Sequence, residues 1–226
     1  MSDTKKRIAL VSASPKIEQT EAVSAFLAAR GERALAGDGI VVETIPVRQV
    51  LLHHETESAF ASLQSADAIV FIFPLYIFCL PAMLMRFLQD FVAAYPASTK
   101  RANVYAIVNC GFPEPEINKE AMRVIECFSL QTNRAFLGGV MLGCGGMLIG
   151  AAQAPFMRET LETIDALFLR VRQDVLMDYP HEAAIVQAAP KFPRFLYFFA
   201  ANAGWRSMAR KNKLRPHDLK RRPYLN

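Results

Sequence analysis

With four cysteines, four histidines and one tryptophan in 226 residues, the chain has little material for metal or disulfide chemistry. Cys79, Cys110, Cys127 and Cys144 are scattered without Cys-x-x-Cys spacing and sit in or beside apolar runs. They read as buried free thiols, not as a disulfide framework or an iron–sulfur site. His53 and His54 are adjacent, His181 and His217 stand alone, and no metal-ligand spacing forms. Long uninterrupted apolar runs are also missing. The longest strongly apolar stretch, residues 68–85, holds Pro74 and Pro81 between Asp67 and Arg86, which fits a strand followed by a helix better than a membrane span. The polar start of the chain runs straight into a strand with no signal-peptide pattern, so a cytoplasmic location is expected.

What is present is a regular alternation. An apolar run at 8–11 follows Lys5, Lys6 and Arg7, stops at a hydroxyl-rich loop over 12–20, and gives way to a helical pattern through Ala22, Val23, Phe26 and Leu27. Further strands are predicted at 40–45, 68–73, 104–108 and 136–142. Helices are predicted near 57–63 and over 81–94, 118–132 and 155–176. Residues 70–73 are apolar at consecutive positions, as expected of a strand covered on both faces, and alternation with helices implies a parallel sheet with right-handed crossovers. Five such units fit an α/β, flavodoxin-like doubly wound sheet of order 2-1-3-4-5. The division expected is a domain over 1–178 and a helical basic C-terminal extension over 179–226.

In that topology a ligand lies outside the carboxyl ends of strands 1, 3 and 4. The first loop carries Ser12, Ser14, Pro15, Lys16 and Thr20 ahead of a helix N-terminus, which suits a phosphate. It lacks both the Gly-x-Gly-x-x-Gly fingerprint and a Gly-Lys-Ser/Thr ending, so a terminal monophosphate, such as that of flavin mononucleotide (FMN), fits better than a pyrophosphate or a triphosphate. Helix capping by Ser14 or Thr20 is the plainer use of the same residues. The third strand ends in Pro74, Leu75, Tyr76, Ile77 and Phe78, where prolines are expected to hold an extended segment and the aromatics offer faces to a planar ring; packing under the loop is the alternative. The fourth ends in Asn109, Cys110, Gly111 and Phe112, with close backbone approach at the glycine and a side-chain donor and acceptor at the asparagine. The glycine-rich run 138–146 at strand 5 suits close approach of substrate or subunit, or a tight strand exit. Cys144 has no histidine nearby in sequence and reads as an inert thiol.

These residues resemble the flavodoxin-like NAD(P)H-dependent FMN reductases and related oxidoreductases over about residues 7–176. The similarity lies in Ser14, Pro15, Lys16 and Thr20; in Pro74, Leu75 and Tyr76 followed by Leu80, Pro81 and the helix through Phe87 and Leu88; and in Asn109, Cys110, Gly111 and Phe112. Ala13 stands where the family usually has glycine, and Glu18 lies in the loop. The resemblance implies a flavoprotein that takes a hydride from NAD(P)H and reduces a small-molecule acceptor: a quinone, a nitro or azo compound, or free flavin. It implies binding residues without a dedicated catalytic acid or base, because the cofactor carries the chemistry. Ser12, Ser14, Lys16 and Thr20 would hold the phosphate, residues 75–78 one side of the ring and 109–112 the other. A homodimer is also implied. A flavodoxin-type electron carrier and a non-catalytic protein of this fold are the alternatives.

The net charge of +5 is unevenly spread. From Lys191 onward ten Lys and Arg face Asp218 alone, a net +9, and the preceding 190 residues carry 16 basic and 20 acidic side chains, a net −4. Within this tail Phe192, Phe195, Leu196, Phe199 and Ala203, continued by Trp205 and Met208, recur at helical spacing, fringed by Arg194, Arg206, Arg210 and Lys211. Such a stripe is first a packing surface for the core or a partner subunit, and second a peripheral contact with an anionic membrane. Nucleic acid is not expected, since no reading module accompanies the charge.

Overall fold

β3 (Ala68–Pro74) is buried from Ala68 through Phe73. Its side chains alternate between two separate cores, as a strand covered on both faces requires. Ile69, Phe71 and Phe73 face a layer of α2 (Val47–His53), α3 (Thr56–Ser65), α4 (Ala82–Ala94) and α5 (Lys119–Gln131). There Phe60 meets Phe87 and Phe91 edge-on at 5.1 and 5.2 Å between centroids. Val70 and Ile72 face the opposite layer, where α1 (Val23–Leu35) and α7 (Arg158–Met177) contribute Leu27, Ile164, Phe168 and Val171. These details come from a computed structural model that describes residues 5–17, 22–95, 100–177, 180–222 and 224.

The sheet is parallel throughout and has the order β2-β1-β3-β4-β5-β6, with β1 at Lys6–Ser12, β2 at Ile40–Pro46, β4 at Asn103–Asn109, β5 at Ala135–Leu142 and β6 at Ala184–Ala188. The fold is flavodoxin-like as expected, but with six strands, not five. β6 extends the sheet beyond β5, pairing Ala184 with Gly138 and Ala188 with Leu142. The chain accordingly divides into Met1–Pro190 and Lys191–Asn226, not at 178/179, and residues 184–188 are strand instead of helical extension. One helix was expected between β2 and β3, and two are found, separated at His54, which adopts φ 58°. No helix among the described residues is long and apolar enough to cross a membrane.

The approach of β5 to its neighbours explains the glycines at its centre. Between the pairs Val104↔Phe136 and Ala106↔Gly139, β5 carries one residue more than β4, a bulge. Gly138 and Gly139 adopt φ of 91° and 151°. A Cβ on Gly138 would lie 2.0 Å from the Ala184 carbonyl oxygen, and one on Gly139 would lie 1.8 Å from that of Ala106. These two glycines serve strand-to-strand approach on both sides of β5.

A buried polar cluster fastens the last strand. The fully buried Tyr105 donates its hydroxyl to Asp174 Oδ2 at 2.5 Å, and Asp174 also accepts from the backbone N–H and ring Nδ1 of His181. Arg170, paired with Asp174 at 3.6 Å, donates to the carbonyls of Leu137 and Glu182. Burial alone would raise the Asp174 pKa, but the hydrogen bonds from Tyr105 and His181 outweigh it and hold the carboxyl below its ordinary range. The carboxylate therefore stabilises the fold above the ordinary aspartate value near ~3.9, and that contribution is lost as the pH falls through the lower folded value. Asp174→Ala is expected to cost about 3 kcal/mol at neutral pH, since it strands the Tyr105 hydroxyl and Arg170. Urea unfolding at neutral and strongly acidic pH checks this, the difference between wild type and variant shrinking in acid.

Candidate functional site

The register of the sheet brings three loop origins to its carboxyl edge within two residues of one level. Ser12 pairs with Ile72, Pro74 with Asn109, and Asn109 with Leu142. β1 connects to β2 on one side and lies beside β3 on the other, so the crevice of a doubly wound sheet opens at the ends of β1 and β3.

After β1 the chain is held by the Ala13 N–H, which donates to Ile72 O at 3.0 Å. Ala13 is fully buried and belongs to the apolar core on the α2–α5 side of the sheet. Ser14, nearly buried, accepts the Lys16 N–H on its Oγ at 3.2 Å. The Ser12 hydroxyl is buried with no hydrogen-bond partner. The N-cap of α1 is Ala22, which supplies no side-chain cap, and no acidic residue occupies the first turn. Helix capping therefore does not use Ser14. An orphaned buried hydroxyl at the end of β1, in the loop leading to a helix whose N-cap residue supplies no side-chain bond, suits a phosphate. Thr20 and Glu18 lie outside the described residues.

After β3 the expected extended segment is instead a tight two-residue turn. The Tyr76 and Cys79 N–H groups each donate to the other's carbonyl at 2.9 Å, with Ile77 and Phe78 between them at φ 48° and 58°. Left-handed backbone at a β-branched residue is strained, by about 1–2 kcal/mol. Ile77 is 94% and Phe78 62% exposed. Together with the half-exposed Tyr76 they present an apolar tip, so neither aromatic packs beneath its loop.

Residues 6–120 match the family described as having a flavodoxin-like fold. The chain belongs to that family. No curated protein matches the sequence. Among solved structures, an oxidoreductase from Corynebacterium diphtheriae has a TM-score of 0.57 at 12% identity, over 77% of this chain and 98% of its own. An NADH:FMN oxidoreductase in its apo form gives 0.54 at 16%, over 73% and 89%. An NAD(P)H:quinone oxidoreductase from Methanothermobacter marburgensis gives 0.52 at 14%, over 79% and 100%. At these identities the likeness is one of fold.

In this flavodoxin-like chain the loop after β4 is tied to its neighbours more tightly than the sequence suggested. Asn109 is buried, and one N–H of its side-chain amide donates to Phe73 O at 3.0 Å, bracing the β3 exit. The Leu75 N–H donates to Asn109 O at 2.7 Å, locking the two loops together. The Cys110 side chain is buried against Phe112 O and Asn118, whereas Gly111 and Phe112 are exposed. The loop after β5 closes the edge, with the Cys144 and Gly145 N–H groups donating to Phe112 O and Cys110 O. A Cβ at Gly145 would meet Asn109 Oδ1 at 2.8 Å, which ties that glycine to the asparagine.

Burial pushes the Cys144 thiol up to about 11, with Cys110 and Glu114 adding to the effect, and burial also raises Cys110. Both stay protonated at neutral pH, in keeping with inert thiols. Asn118 was missed as a site residue. It is fully buried, donates to Leu142 O and toward Cys110 Sγ, and leaves its Oδ1 unpartnered. Its place at the start of a predicted helix made it read as a helix boundary.

Proposed function

We propose that the protein is an FMN-dependent oxidoreductase that takes a hydride from NAD(P)H and passes electrons to a small acceptor such as a quinone, a nitro or azo compound, or free flavin. The observation that carries this reading is the unpartnered, buried Ser12 hydroxyl at the carboxyl end of β1, where the crevice of the sheet opens. Solved structures of similar fold named as NADH:FMN and NAD(P)H:quinone oxidoreductases support it. FMN, when bound, supplies the hydride and electron chemistry.

The chain's own residues bind and orient. Ser12, Ser14, Pro15, Lys16 and Thr20 would hold the phosphate. Pro74, Leu75, Tyr76, Ile77 and Phe78 would line one side of the ring, and Asn109, Cys110, Gly111 and Phe112 would close the other, the last two being exposed. The strained turn at Ile77 and Phe78 fixes an apolar wall without glycine's freedom, and Asn109 braces that wall through Phe73 O. The exposed apolar tip of Tyr76, Ile77 and Phe78 supports a homodimer, in which a second copy would cover it.

Purified protein incubated with FMN and freed of excess is expected to show bands near ~375 and ~450 nm that bleach when NADPH is added without oxygen. A protein that stays colourless removes this reading. Bound flavin that NADPH leaves oxidised points to an electron carrier.

A further inference from the structure

α8 (Arg194–Lys211) is divided along its axis and not around it. At about 100° per residue, Phe195, Phe199, Arg206 and Arg210 fall on one face, aromatic in the first turns and basic in the last. The stripe expected from the sequence, apolar on one side and basic at its fringe, is therefore not what the helix presents. Phe195 (70%), Phe199 (73%) and Trp205 (66%) are exposed, as are Phe198 and Leu196. Residues 195–205 contain no charged side chain and span about 15 Å as helix, half the hydrocarbon thickness of a bilayer. Beyond them come Arg206, Arg210, Lys211, Lys213, Arg215, Lys220, Arg221 and Arg222. The one carboxylate of the segment, Asp218, is paired with Arg221 and His217 and also accepts the Arg215 N–H.

We propose that Lys191–Asn226 is a peripheral membrane-binding segment, in which the aromatic half of α8 enters the interface of an anionic bilayer and the basic half holds lipid phosphates. A helix of this length with a charge-free aromatic end is too short to span, so it reaches only the acyl boundary, and the clustered cations supply the attraction to anionic headgroups. A hollow of about 410 Å³ on the helix surface joins the two chemistries: Phe199 and Ala203 lie at one end, and Arg206, Ser207 and Arg210 at the other. That pairing of an apolar wall with two guanidiniums one turn apart matches a phosphate-bearing amphiphile. Single-stranded nucleic acid fits less well, because stacking platforms interleave aromatic and basic side chains, and here they are segregated. A second copy of the same segment is disfavoured by its own net +9. Binding through this segment is independent of flavin loading.

Trp205 is the chain's single tryptophan, so tryptophan emission of the full-length protein, excited selectively over the six tyrosines, reads this helix alone. With vesicles of phosphatidylcholine containing phosphatidylglycerol, the emission is expected to shift to the blue and to be quenched by lipids brominated on the acyl chain. The effect should weaken as salt rises from about 0.05 to 0.5 M. Arg206→Glu with Arg210→Glu should reduce partition by about twentyfold or more. Phe198→Ser with Phe199→Ser should abolish acyl-chain quenching while far-UV circular dichroism stays unchanged. Emission that ignores anionic vesicles, a shift equally strong on pure phosphatidylcholine, or displacement from vesicles by RNA would each overturn the assignment.

Discussion

Gly139→Ala should destabilise the protein by about 3 kcal/mol or more, a drop of roughly 10 °C in melting temperature for a chain of this size. The new Cβ would sit 1.8 Å from the Ala106 carbonyl oxygen, a backbone atom in the centre of the sheet that cannot swing aside. Relief requires β5 to move off β4, and the loops at the carboxyl edge move with it. The φ of 151° adds strain of its own for any residue with a side chain. Gly150→Ala is the control. Its Cβ meets nothing within 4 Å, it lies in α6 (Met147–Ala151), and alanine is the better helix former there, so that variant should be neutral or slightly stabilised. Thermal and urea unfolding of the two variants side by side separates a steric role for Gly139 from a general intolerance of substitution.

Ser14→Asp should lower FMN affinity by about a hundredfold or more, beyond the loss of apoprotein stability that a carboxylate at this buried position brings. The carboxylate can still accept the Lys16 N–H that Ser14 Oγ accepts now, so the turn is preserved. It also places a negative charge where the phosphate binds, and two unit charges about 4 Å apart at an effective dielectric of about 20 repel by about 4 kcal/mol. Flavin fluorescence titration measures the first effect, and thermal unfolding of apoprotein the second. Ser12→Ala refines the test, because the Ser12 hydroxyl has no protein partner. Its removal should spare or slightly raise apoprotein stability and weaken FMN binding by about tenfold. Unchanged flavin binding in both variants would remove the phosphate role of this loop.

The elements read best from sequence were those whose environment is uniform. β3 and β4, apolar on both faces, and α4 and α5, with long periodic stripes, fall within one residue of expectation, and α7 differs by three residues only at its start, where residues 155–157 form a 3-10 turn. β6 escaped because its apolar run, residues 183–186, is short and half alanine, and four of its five strand residues are exposed, so it lacks the alternation of a half-buried strand. What admits it to the sheet is Gly138 on its neighbour, a cause that lies far from β6 in sequence. The location of the candidate site was legible because topology dictates it, but its fine structure was not. A two-residue turn of this kind usually announces itself by Asn or Gly, and Ile77 with Phe78 gives no such signal. Asn109 was legible as a polar residue at the edge, yet only the structure shows its amide committed to Phe73 O. In α8, spacing alone counted Phe199 and Arg206 into stripe and fringe, whereas their azimuths nearly coincide.

The late position of β6 in the chain has a bearing on how the protein is made. Until residues 184–188 have left the ribosome, β5 is the outermost strand, with its hydrogen-bonding groups open on one side and two glycines that let any extended segment come close. Completion of the sheet therefore waits until residues 184–188 follow β5 and α7 out, and the nascent chain carries an unsealed rim through that interval. The grip of Asp174 and Arg170 on residues 181 and 182 shortens it, because α7 is already in place to seize the incoming strand as soon as it emerges.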